Sequence, residues 1–312
     1  MNGRGATALS VLALSACALA VGFSAASFTD GSQNPQAVSA VPDFLAPGAA
    51  ASTIAKAQGG VAGSVKKGGA YYVYADVEDS GNPSSGTAAV KADVSAITGG
   101  QAAVSLLAGS YTAGGQAYDY RSAQLTAGGS LGAGVKAYSL SLADGAGNTR
   151  SQGFSVTVDN GPFAGAGFET ANASGGTSGR AEQGDTVTFA FNKAPDPGSL
   201  VSGWDGSGTR AVTVAIADSS SSDTLSVSGA TLGTVALQGD YTSSGKTTTF
   251  AGSSMSVSGA TVTIVLGTDS SGNARTETSK NKPAWSPSAS IYDAAANACA
   301  TATVSGDNAR QF

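Results

Sequence analysis

Apolar and polar residues alternate along most of this chain with a period of two, and that period predicts strands. Ala70-Tyr-Tyr-Val-Tyr-Ala-Asp-Val77 and Thr186-Val-Thr-Phe-Ala-Phe191 are the clearest runs. Up to residue 160, runs are expected at 63–66, 71–77, 88–94, 102–107, 118–125, 135–142 and 154–158. Turn signals at Gly81-Asn82-Pro83, Gly99-Gly100, Gly114-Gly115 and Gly128-Gly129 separate them. Beyond 160 the runs fall at 187–191, 210–217, 224–227, 247–250, 255–257, 262–266, 288–292 and 301–304. No stretch carries an apolar period of 3.6, so no helix is expected beyond one turn at Asp196–Leu200. Short strands at this spacing, parted by Gly-rich turns, read as an all-β chain of sandwiches.

An internal repeat sets the domains. Gly59-Gly60-Val-Ala-Gly63, with Gly68 five residues on, recurs as Gly175-Gly176-Thr-Ser-Gly179 with Gly184 at the same distance. Each copy leads into a strand. Near the other end, Asp144-Gly-Ala-Gly-Asn148 matches Asp293-Ala-Ala-Ala-Asn297, each between two apolar-alternating runs as in a β-hairpin. A tandem duplication with a longer second copy follows. The expected organisation is a signal peptide at 1–26, an extended linker or N-terminal strand segment at 27–58, and sandwiches at 59–160 and 161–312, with the boundary near Asp159-Asn-Gly-Pro162.

The first residues carry one positive charge at Arg4, then an apolar stretch from Ala6 to Phe23, then small residues at Ser24-Ala-Ala26. That order is the secretory signal pattern. Leu14-Ser-Ala-Cys17 also has the shape of a lipoprotein cleavage box, which would make Cys17 a membrane anchor. Ser27-Phe-Thr-Asp30 and the segment through Pro47 resemble the start of bacterial proteins with SipW-type signal peptides. The closing Asp-x-Ala-x-Asn hairpins, and Gly184-Asp-Thr-Val-Thr-Phe189 followed by Asp196-Pro197, resemble bacterial immunoglobulin-like modules of surface proteins. These resemblances imply two tandem immunoglobulin-like β-sandwiches in a secreted or cell-surface protein, including components of matrix fibres.

Composition narrows the chemistry. The 312 residues include 44 Gly, no His and a formal net charge of −5. An acidic chain without a basic stripe argues against nucleic acid as a partner. Without histidine, Ser-His-Asp, Cys-His and His-ligated metal sites are excluded. The two cysteines, Cys17 and Cys299, cannot pair inside a chain that has lost its signal. The scattered carboxylates Glu169, Glu182 and Glu277 form no recognisable catalytic pair, so the chain is read as no enzyme.

The remaining candidates are modest. Asp76, Glu78 and Asp79 end the second strand of the first sandwich, and Asp144 and Asn148 lie in its last hairpin. In an immunoglobulin-like sandwich those loops emerge at one end, and clustered hard oxygens suit Ca²⁺. The bland alternative is that these residues only form turns by bonding their own backbone. Trp204, inside Gly203-Trp-Asp-Gly-Ser-Gly208, is a candidate sugar contact, and Trp285 a core residue. The leading expectation is a structural or adhesive protein that meets other surface or matrix proteins, or copies of itself, with 27–47 able to add as a strand. A carbohydrate-binding module and an unrecognised hydrolase are the alternatives.

Overall fold

The computed structural model describes residues 43–57 and 61–312. The signal segment and Cys17 lie outside the described residues. The chain is all-β, as its alternation predicts, and folds into two sandwich-like bodies.

The first sandwich contains β1 (Gly48–Lys56), β2 (Ser64–Val65), β3 (Ala70–Glu78), β4 (Thr87–Asp93), β5 (Val104–Ala113), β6 (Gln116–Ser122), β7 (Leu125–Thr126), β8 (Gly134–Asp144) and β9 (Thr149–Val158). They form one curled sheet in the order β1-β3-β6-β5-β4-β8-β9-β2, with β7 against β3. The curl is made by β5, whose start pairs with β4 through Ala92↔Val104 and whose remainder pairs with β6. Inward residues of the two layers, among them Ile54, Tyr71, Val73, Ala75, Val90, Ala92, Leu140, Leu142 and Val156, close a single core. The alternation in β3 explains the division: Tyr71, Val73, Ala75 and Val77 face this core, while Tyr72 and Tyr74 join an outer cluster with Tyr111 and Tyr118.

The second sandwich contains β10 (Phe163–Ala171), β11 (Thr186–Phe191), α1 (Pro197–Leu200), β12 (Arg210–Ala217), β13 (Thr224–Ser228), β14 (Thr234–Ala236), β15 (Thr247–Ser258), β16 (Thr261–Val265), β17 (Thr268–Asp269), β18 (Ala284–Ser286), β19 (Cys299–Ala300) and β20 (Val304–Ser305). The expected turn of helix is α1, capped by the Asp196 side chain on Gly198 N–H. Val187, Phe189 and Phe191 alternate inward from β11, and the two phenylalanines meet Trp285 edge-on at 5.1–5.2 Å. Trp285 is core, as expected, and its indole N–H is satisfied by Leu232 O. Gly165 is required there, because a Cβ would lie 2.7 Å from the Trp285 ring.

Two long strands sit outside the expected runs. The 27–58 segment contains β1, which pairs with β3 over most of its length, and β10 pairs in the same way with β11. Both are rich in Gly and Ala, so their apolar alternation is faint. Conversely, the runs expected at 288–292 and 301–304 give only an isolated bridge at Tyr292↔Ala298 and the short β19 and β20. The Asp293–Asn297 turn nevertheless closes as predicted, with Asp293 N–H on Asn297 O. Its Ala296 takes φ +67°, where the first copy has Gly147 at φ +91°. An alanine in that left-handed region costs about 1 kcal/mol.

Candidate metal centre and its counterpart at the junction

The repeat is conserved to the level of single hydrogen bonds. In β1 the register on β3 slips between Ala49 and Ala51; in β10 it slips on β11 between Gly165 and Gly167. Ala49 faces Val77 and Gly165 faces Phe191, so two residues further on Asp79 corresponds to Lys193. Counting back from the slips, Asp43 corresponds to Asp159. The closing hairpins equate Asp144 with Asp293 and Asn148 with Asn297.

Sandwich two uses this constellation to hold the chain that leads into it. Asn297 N–H donates to Asp293 Oδ1 at 2.8 Å, and its Nδ2 donates to Asp293 Oδ2 at 2.9 Å and to Asp159 O at 3.0 Å. Lys193 Nζ then bridges the two carboxylates, 2.8 Å from Asp159 Oδ2 and 3.3 Å from Asp293 Oδ2, and also reaches Gly161 O. Burial pushes the Asp159 carboxyl up, but the bonds from Lys193 and Gly161 N–H outweigh it and leave the group below its ordinary value. Burial would lower Lys193, yet its bonds to Asp159 and Asp293 raise it. The ion pair therefore contributes from above the unfolded Asp value to below the unfolded Lys value. It fades as pH falls through the depressed Asp159 value or rises through the raised Lys193 value.

Sandwich one repeats every part except the cation. Asn148 N–H donates to Asp144 Oδ1 at 2.7 Å, and its Nδ2 donates to Asp144 Oδ2 at 2.7 Å and to Asp43 O at 2.9 Å. In place of the lysine stands Asp79. One carboxylate oxygen from each of Asp43, Asp79 and Asp144 lies within 4.8 Å of the others. Asp43 and Asp144 are buried and Asp79 half-buried. Asp43 accepts from Leu45 N–H at 2.9 Å and from the Ser85 hydroxyl at 2.8 Å, which together hold its carboxyl below the ordinary value. Asp79 accepts from Gly81 N–H, Gly86 N–H and the Ser84 hydroxyl. Those donors orient the carboxylates but bring no positive charge.

Of the residues expected to ligate calcium, the structure brings Asp79 and Asp144 together. Asn148 touches the group as a donor that fixes Asp144 and the Asp43 carbonyl. Asp76 and Glu78 stay on β3, opposite Ala51 and Gly48 of β1. The residue missed by sequence reasoning is Asp43, assigned to the extended linker or N-terminal strand segment at 27–58. Its signal was available: an Asp ahead of a Pro and a Gly/Ala run, as at Asp159. The three carboxylates offer three oxygens within 4.8 Å of one another, half or less of the six to eight that Ca²⁺ takes. The acidic group could hold a metal ion.

Trp204 is only 1 % exposed, and its indole N–H is spent on Ser207 O at 2.9 Å. Its edge, with Arg210 and Asp205, lines a groove of about 540 Å³ against the Gly114-Gly115 turn of sandwich one. The ring offers no open face for a sugar. Asp185 and Asp223 are also fully buried, with carboxyls raised by burial, and each is consumed by backbone N–H donors of neighbouring loops.

The two sandwiches meet at a second charged contact. Lys56, at the end of β1, pairs with Asp196 ahead of α1; their side chains are 3 % and 0 % exposed. Lys56 Nζ also donates to Ala294 O at 2.8 Å and Val61 O at 3.2 Å, so its ammonium is fully hydrogen-bonded. Asn160 continues the contact, accepting from Lys67 N–H and donating to Leu131 O. The position matching Asp196 in sandwich one is Asn82, which carries no charge. No known protein family and no curated protein matches the chain.

Proposed function

We propose that this chain is a non-enzymatic structural or adhesive protein of the cell exterior, in which two sandwiches serve as a stiff spacer and Ca²⁺ completes the head of the first. The observation that carries the spacer is the junction. A lysine and an aspartate withdrawn from water stay paired only while the two bodies keep their contact, so hinging at Lys56–Asp196 is strongly opposed. A protein that presents a surface to other surface or matrix components gains from such a fixed span.

Calcium rests on the internal comparison. The same acidic and amide residues that enclose an ammonium in sandwich two enclose a third carboxylate in sandwich one. A divalent cation with oxygen ligands restores the balance there, and modules outside the cell work at Ca²⁺ levels that weak sites can use. The export pattern at the N-terminus, read from sequence, agrees with that setting.

Antibody labelling of intact cells, alongside a strain lacking the gene, tests the placement. The reading predicts surface label on unbroken cells and altered cohesion or surface material in the deletion strain. Label that appears only after lysis contradicts it.

A further inference from the structure

We infer that the outer face of sandwich one, centred on Arg121, binds an acidic polysaccharide, a linear polymer whose sugars carry carboxylates. This rests on the adhesive reading above and names its partner by chemistry; it needs neither the calcium nor the stiff junction. Alternation on β3 sends Tyr72, Tyr74 and Asp76 away from the core that takes Tyr71, Val73 and Ala75. Arg121 on β6 stands opposite Tyr74, and Leu107 on β5 stands opposite Arg121, so both share that outer face. Tyr111 reaches the same cluster because Gly109 has no side chain: a Cβ there would lie 2.7 Å from the Tyr111 ring.

The Arg121 guanidinium is built into this face. Its carbon lies 4.6 Å from the Tyr72 ring centre and 4.5 Å from that of Tyr111. Tyr72 is held in turn by its hydroxyl on Gln124 Oε1 and by an edge contact with Tyr74. Packing on rings fixes the planar group without spending its N–H fork. Among the described residues, Arg121 makes no hydrogen bond, and no carboxylate lies within 4.0 Å of it. The acids nearby are engaged elsewhere. Asp119 accepts from Val77 N–H at 3.0 Å, and the charge of Asp76 acts on Tyr118, where it adds to burial in raising the hydroxyl. The ligand therefore has to bring the negative charge, and a carboxylate fits the fork with two bonds.

The site lies on strand faces, where a peptide would gain none of the main-chain bonds that a sheet edge offers. Sugar C–H faces can instead pack on the tyrosines and on Leu107, which is 65 % exposed. The cluster shares Ala113 with the groove beside Trp204, where Arg210 lies over the indole at 5.8 Å. A second ring-held guanidinium across the Gly114-Gly115 turn suits a polymer with repeated carboxylates better than a single small anion.

Binding of the full chain to immobilised polygalacturonate, to its neutral carboxyl-reduced form and to poly-glutamate, all in chelator, tests this. The inference predicts binding to polygalacturonate alone, weakened by salt. Arg121→Gln should weaken it about tenfold or more with an unchanged melting temperature. Should that variant fail to fold, Leu107→Glu replaces it: an exposed position opposite Arg121 then supplies the carboxylate, and the same loss is expected. No binding to polygalacturonate, or binding that both variants leave unmoved, overturns the inference. Equal binding to poly-glutamate overturns it in favour of an acidic protein partner, and equal binding to the neutral polymer removes the role of Arg121. Each of these failures leaves the adhesive reading standing as long as intact cells carry the surface label.

Discussion

Replacing Lys56 with Met should cost about 3–5 kcal/mol of stability, the largest loss expected from any single surface-to-core contact between the sandwiches. The reason is the residue left behind. Asp196 is fully buried, and Lys56 is the cation against its carboxylate. Met fills most of the lysine stem's volume, so packing changes little and the uncompensated charge dominates. The double variant Lys56→Met/Asp196→Leu removes both charges and should recover most of the loss, though Leu cannot cap α1 as Asp196 does. Denaturant melts of the parent, the single variant and the double variant measure this directly. A single variant within 1 kcal/mol of the parent would show that the junction is wet, and the stiff spacer would lose its basis.

Calcium should raise the melting temperature of sandwich one and leave that of sandwich two nearly unchanged. At a hundredfold excess over the dissociation constant, a site that exists only in the folded state adds about 2.7 kcal/mol. For a domain of this size that corresponds to a rise on the order of 10 °C. Asp79→Lys should abolish the calcium response and, in chelator, melt above the parent, because it installs the ammonium that sandwich two already has. The converse change, Lys193→Asp, should destabilise the junction in chelator and give sandwich two a calcium response of its own. Scanning calorimetry with calcium and with chelator reads all of these. Equal melts for the parent in both buffers would remove the cation from the account.

The fold was legible wherever burial left a strong alternation. Val187–Phe191 and Arg210–Ala217 announce strands because one face takes large apolar side chains and the other takes Thr or Ala, and Tyr71–Val77 does so through its β-branched and aromatic residues on both faces. β1 and β10 were hard to read because Gly and Ala contribute little contrast between faces, and a register slip in each breaks the period. The hairpins Asp144–Asn148 and Asp293–Asn297 were legible as turns, and their role as clasps was not. That role depends on Asp43 and Asp159, which lie 101 and 134 positions away in the chain. The acidic group was half legible for the same reason. Asp79 and Asp144 follow from the sandwich topology, whereas Asp43 enters only once β1 is placed. Trp204 illustrates the opposite error, in which a Gly-rich neighbourhood suggests exposure while the indole is sealed beneath the Gly203–Ser207 loop.

A crystal of the full chain grown in CaCl₂ and measured for anomalous scattering tests the central claim most directly. The account predicts one strong peak among Asp43, Asp79 and Asp144, with oxygen ligands at about 2.3–2.6 Å, and none at Lys193. No peak in that group, with the three carboxylates arranged as they are here, would contradict it.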